Sequence, residues 1–164
     1  MDENTFERVR LLIGMGRLDE AAPLLEELQA KDPTHLGALL VRGGLRSEDR
    51  DFPGALVFYE EAARLWPRSA EAHNAVARCL HALGRDREAL PHAQTARGLL
   101  REGDNFTQTA AVYLTLVWCH RELREFREAV TAAEEGLALA PDAILAQWAS
   151  QVEMEMMEAE KEEC

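Results

Sequence analysis

Long apolar runs are missing from this chain. No stretch of 18 apolar residues occurs, so no segment reads as a membrane span and no membrane partner is expected. The opening residues Met1-Asp2-Glu3-Asn4 lack the basic-then-apolar order of a signal peptide. Cysteine is scarce and odd in number, at three, which argues against a disulfide framework and for a reducing compartment. The expected location is cytoplasmic. Lysine is nearly absent, two against sixteen arginines, and no basic run appears. Counterion release from a phosphate backbone needs concentrated positive charge, so no nucleic-acid partner is expected of a chain with 30 acidic residues, 18 basic ones and a net charge of −12. Chemical signatures are lacking as well. There is no Gly-rich phosphate loop, no His-Glu-x-x-His and no Cys-x-x-Cys. The histidines at 35, 73, 81, 92 and 120 never pair at i, i+4. The carboxylates are scattered, whereas acid/base catalysis needs them convergent in a pocket. No catalytic residue, metal or cofactor is assigned, and an enzyme is not expected.

What the chain does have is length and patterning. At 164 residues and 47% hydrophobic content it can bury about two-thirds of its unfolded surface, without help from metal or disulfide. The negative charge is uneven. Residues 1–70 carry 13 acids and 9 bases, residues 71–151 carry 11 and 8, and residues 152–164 carry 6 and 1. The body is mildly acidic, and the tail is a separate feature.

An internal repeat organises the rest. Asp19-Glu20-Ala21-Ala22, Pro53-Gly54-Ala55-Leu56, Arg87-Glu88-Ala89-Leu90 and Arg127-Glu128-Ala129-Val130 share one pattern, with marker alanines 34, 34 and 40 apart. Twelve residues after three of them stands a proline: Pro33, Pro67 and Pro141. The third unit has Arg101 there and is followed by six extra residues, as an insertion would leave it. Apolar residues recur at helical spacing, as in Ala21, Leu24, Leu25 and Leu28. Gly16 and Gly84 precede their alanines by five residues, where a left-handed residue ends one helix before the next begins. Each unit is expected to be a helical hairpin with the alanine at the close crossing. Pro23 and Pro91 fall inside second helices, and a late or distorted helix start is expected there. Asp104 or Asn105 is expected to cap a long helix reaching about Glu122. After Pro141 a last helix starts, with Ile144, Leu145, Trp148, Val152 and Met156 as its apolar face. The tail beyond residue 157 has no such face and should fray. Cys79 and Cys119 share a repeat position with Leu11 and Leu45, which reads as a packing position rather than a nucleophile's.

The period, the glycine, the alanine and the closing proline together resemble the tetratricopeptide repeat family over roughly residues 2–141. The resemblance implies an all-α fold, a right-handed superhelix (α-solenoid) of antiparallel helical hairpins. It implies one repeat domain with units at 2–35, 36–69, 70–103 and 110–143, a capping helix over 142–158 and an acidic tail over 158–164. In this family the first helix of each hairpin lines a concave groove. Carried onto this chain, those positions are Phe6, Arg10 and Ile13, then Leu40 and Gly44, then Asn74, Arg78 and His81, then Leu114, Trp118 and Arg121. This set holds three arginines, one histidine and no acid, which fits a protein or peptide partner carrying carboxylates and bulky apolar groups; ordinary solvated arginines fit it too. The family's Lys/Asn clamp for acidic chaperone tails is missing, since Phe6 and Val41 stand in its place. The expected function is a non-catalytic adaptor. Alternatives are a cytosolic chaperone of type III secretion translocators, or a self-assembling scaffold subunit, and the oligomeric state is left open.

Overall fold

Alanine, glycine and side-chain caps set where the helices start, stop and touch. The computed structural model describes residues 3–101 and 105–162, and among these it contains nine helices and no strand. They gather into two compact units, Met1–Trp66 and Pro67–Cys164. The first holds α1 (Glu3–Gly14), α2 (Leu18–Lys31), α3 (Leu36–Glu48) and α4 (Phe52–Leu65). The second holds α5 (Ala70–Ala82), α6 (Asp86–Leu99), α7 (Phe106–Glu122), α8 (Phe126–Leu139) and α9 (Ala143–Glu162). Within each unit successive helices pair as hairpins, α1 with α2, α3 with α4, α5 with α6 and α7 with α8. The four marker alanines, Ala21, Ala55, Ala89 and Ala129, are at most 1% exposed, so the helices cross where a Cβ is the largest group that fits.

Each hairpin turns through one left-handed residue. Gly16 and Gly84 have φ of 73° and 71°, as their spacing predicts. Arg50 and Arg124 occupy the matching places of the other two hairpins with φ of 62° and 63°. A side chain there is strained, so the turn is set by the hairpin and not by glycine alone. Helix starts are capped by side chains in five cases. His35 Nδ1 accepts from Ala38 N, Asp51 from Gly54 N, Ser69 from Ala72 N, Asn105 from Thr107 N and Asp142 from Leu145 N, at 2.8–3.1 Å. Asn105 is thus the cap of α7, while Asp104 lies outside the described residues.

Pro23 and Pro91 do not delay their helices. α2 and α6 begin at Leu18 and Asp86, which leaves each proline in the second turn. The first turn closes before the proline is reached, through Ala21 N to Arg17 O at 3.2 Å and Ala89 N to Arg85 O at 3.0 Å. Burial of Ala21 and Ala89 then holds the helix across the missing donor.

Unit one packs around Val9, Leu25, Leu28 and Ala38, with Phe6, Ile13, Leu24, Val41 and Leu45 against them. Gly43 is buried because Tyr59 lies over it and leaves no room for a Cβ. The polar look of α3 around Arg42-Gly43 therefore marks a ring seat. Leu11 departs from the packing expected of its repeat position: it is 61% exposed, whereas Cys79 and Cys119 are 3% and 0%. Unit two closes on Val76, Val112, Leu116, Val117, Leu145 and Val152. Gly136 sits under Tyr113 and Leu145, whose atoms are 2.6 and 2.7 Å from where its Cβ would be.

The last helix packs on α8 and α7 through Leu145, Ala149 and Val152. Counted from the caps Ser69 and Asp142, the positions of α5's buried Asn74, Ala77 and Leu80 become Gln147, Ser150 and Glu153, all exposed. That face, apolar or enclosed in α5, is polar and exposed in α9. The segment after residue 157, expected to fray, remains helical to Glu162. Arg127 of α8 reaches Glu160 at 3.2 Å and Ala159 is half-buried, so the last turns are tied to the neighbouring helix.

Candidate partner-binding site

The first helices of the hairpins carry the residues singled out by the repeat register, and the two units treat them differently. In unit one Phe6 is half-buried, with its ring 4.8 Å from that of His35 and against the backbone at Gly37. Ile13 also packs on the core. Arg10 is exposed and bonds Glu7 at 3.2 Å, Leu40 is half-buried, and Gly44 lies near Tyr59. Phe6 and Ile13 are core residues first.

In unit two the structure draws His81, Trp118 and Arg121 into one ladder of rings and charges. The His81 and Trp118 rings stack with centroids 5.5 Å apart and planes 15° apart. The Trp148 ring stands edge-on to Trp118 at 6.2 Å, and the Arg121 guanidinium lies 5.4 Å from the Trp148 centroid. Helices α5, α7 and α9 supply these residues. Asn74 and Arg78 follow the same line along α5, with His81 three residues on.

The electrostatics revise the expectation of a face free of acids. Arg121 is held by Glu155 in a two-pronged pair at 2.8 and 2.9 Å and by Glu122 at 2.7 Å. The Arg121 pair holds the Glu155 carboxyl below its ordinary range, with a smaller contribution from the Gln151 amide, against the burial that would raise it. Reciprocally, Glu155 raises the Arg121 guanidinium. His81 Nδ1 lies 2.6 Å from Asp86 Oδ1. Arg78 alone of these cations is exposed and makes no ion pair or hydrogen bond among the described residues. Asn74 is buried, and its Oδ1 and the Trp118 Nε1 are enclosed with no hydrogen-bond partner among the described residues. Leu114 is half-buried on α7.

Two neighbours escaped the sequence reading, Asp86 and Glu155, and Trp148, read there as apolar face of the last helix, joins the ring ladder. Asp86 is five residues from His81 but on the next helix, and Glu155 is 34 residues from Arg121. Only the repeat period could have signalled the second, because one repeat length brings α7 and α9 side by side. An open pocket of about 410 Å³ adjoins Arg121, between Arg124, Phe126 and Glu158. It is ringed by both signs of charge and selects no ligand class. Helices of the described residues are nowhere long and apolar enough to cross a membrane.

Comparison with known proteins agrees with this architecture. Two family models, each described as tetratricopeptide repeat, match residues 6–63 and 68–142. A sequence search of curated proteins found no match. Among solved structures the chain is similar to MamA (residues 41 to the end) from Desulfovibrio magneticus, at 16% identity and a TM-score of 0.69, covering 98% of this chain and 95% of that one. It is similar to a thermophilic repeat protein of Thermus thermophilus, at 19% identity and a TM-score of 0.68, covering 92% and 80%. It is also similar to YrrB, described as a repeat protein with an unusual peptide-binding site, at 17% identity and a TM-score of 0.55, covering 92% of each. At these identities the likeness concerns the fold, which is an all-α array of the solenoid class.

Proposed function

The chain belongs to the tetratricopeptide repeat family, whose repeats are protein–protein interaction modules, and we propose that it is a non-catalytic adaptor whose second unit receives a peptide rich in carboxylates and bulky apolar residues. The observation that carries this reading is Arg78. Its guanidinium is exposed and makes no ion pair or hydrogen bond among the described residues, on the line of Asn74 and His81, while Arg121 is already paired with Glu155. A carboxylate arriving there meets charge that no acid of the described residues has taken. The α7 residues Leu114 and Trp118, both half-buried, give apolar groups on the helix packed beside α5. Arginine and tryptophan are the residue types that most often dominate binding when desolvated together. A peptide-binding site described for one structural neighbour is consistent with this use of the fold.

The test is fluorescence polarisation against a peptide array that varies acidic and apolar content. Peptides combining both should bind best. Arg78→Ala should weaken them by about 2–5 kcal/mol, because a desolvated pair is broken. Arg64→Ala, which removes an exposed cation already paired with Glu61, should change binding by about 0–1 kcal/mol at most. Normal binding by Arg78→Ala, or a preference for basic peptides, overturns the reading.

A further inference from the structure

We propose that His81, Asp86 and Cys119 form a binding site for a single zinc ion inside the second unit. The three residues come from α5, α6 and α7, and their donor atoms, an imidazole nitrogen, a carboxylate oxygen and a thiol sulfur, all lie within 4.8 Å of one another. Tetrahedral zinc with bonds of about 2.0–2.3 Å sets its donors roughly 3.3–3.6 Å apart. His81 Nδ1 and Asp86 Oδ1, now 2.6 Å apart, would open to admit the ion, and the thiol would turn inward.

The chemistry of the donor set favours this ion over other occupants. Sulfur, nitrogen and oxygen together suit zinc, a borderline-soft cation without geometric demands of its own, better than magnesium or calcium, which take oxygen. Charge balance points the same way. One carboxylate and one thiolate cancel the two charges of zinc, so the loaded site is neutral, as a buried site must be to avoid a large desolvation cost. Without the ion, Asp86 is a nearly buried carboxylate that His81 and the Cys119 thiol share as donors. Burial first, then the charge and hydrogen bond of Asp86, push that thiol up to about 12. Water has access to a fourth position beside His81, whose side chain is 26% exposed while that of Asp86 is 11%. The Trp118 ring stacked on His81 restricts rotation of the imidazole.

Binding balances as follows. Asp86 enters as a carboxylate and His81 as a neutral imidazole whose proton moves from Nδ1 to Nε2, so that the carboxylate and Nδ1 each offer a lone pair. The Cys119 S–H bond breaks, its electron pair stays on sulfur and forms the zinc–sulfur bond, and one proton leaves to solvent.

The experiment titrates the full chain with zinc, and with cobalt as a spectroscopic stand-in, at about pH 8, where free imidazole is neutral. Expected results are one ion per chain, one proton released per ion in calorimetry across buffers, and a thiolate-to-cobalt charge-transfer band. The band should vanish in Cys119→Ser and survive in Cys79→Ser and Cys164→Ser. Absence of the band in the natural chain, or its survival in Cys119→Ser, overturns the site. Should Cys119→Ser fail to fold, as judged by circular dichroism, His81→Gln decides: it should abolish the one-to-one complex, and unaltered zinc binding by it refutes the assignment.

Discussion

The two units share one repeat pattern and differ in what they bury. Among the described residues the buried polar side chains, Asn74, Asp86, Thr109 and Thr115, all belong to unit two, while the core of unit one is apolar throughout. Of the largest fully buried side chains, only Val9 is in unit one, against Leu116, Leu145, Val76, Val112, Val117, Val152, Thr115 and Cys119 in unit two. The repeat landmarks specify hairpins in both, but hairpins alone do not decide core depth. In unit two α9 adds a further helix to the core, and its Leu145 and Val152 are 0% exposed.

The sharpest test of this difference compares leucines. Leu145→Ala should cost about 2–5 kcal/mol in unit two, while Leu11→Ala in unit one, at a site already in water, should lie within about 0.5 kcal/mol. Chemical denaturation followed by circular dichroism reads both. Equal costs would mean that the exposed edge of unit one is covered in solution.

Overpacking should affect the units alike, since both use the same close crossing. Ala55→Phe in unit one and Gly136→Ala in unit two should each cost about 1–3 kcal/mol, the first by wedging α4 and the second by meeting Tyr113 and Leu145. An unchanged melting temperature for Ala55→Phe would mean that the repeat register is misplaced.

Smaller effects separate the polar chemistry of unit two. Glu155→Gln should cost about 1 kcal/mol, more than an average surface pair because it holds both prongs of Arg121. The Glu155 carboxyl lies below its ordinary value when folded, so its contribution is complete above about pH 4.3, the unfolded value, and is lost as pH falls through the folded one. An acid-unfolding profile unchanged by Glu155→Gln would remove the pair from the ledger of unit two. Cys119 acts at the other end. Its thiol, raised to about 12, binds its proton more tightly folded than unfolded. Its contribution is complete below about pH 8.5 and declines as pH rises toward 12. Cys119→Ala should flatten the fall in stability above about pH 9, and the folded protein should leave Cys119 unalkylated by iodoacetamide at neutral pH.

Much of the fold was legible because its signals are local. Gly16, Gly84 and the cap Asn105 announce themselves by residue type, and the alanines by spacing. Arg50 and Arg124 do not, because a left-handed arginine is tolerated only where the rest of the hairpin demands it. Pro23 and Pro91 misled for a related reason: a lost backbone bond is local, and the alanine burial that outweighs it is tertiary. The candidate site was legible only in part. Repeat register gives which residues share a line on α5 or α7. It does not give the partners that reach in from α6 and α9, so Arg121 arrives already paired with Glu155 and His81 already bonded to Asp86.

The ladder of rings has an optical consequence. Trp118 stacks on an imidazole and stands edge-on to Trp148, while Trp66, in the other unit, is 46% exposed. Emission from the two enclosed indoles should be bluer than that of Trp66 and quenched whenever the stacked imidazole gains charge or a metal. The protein thus carries its own fluorescent gauge of the chemistry at His81, readable without a label, with a solvent-facing indole as internal standard.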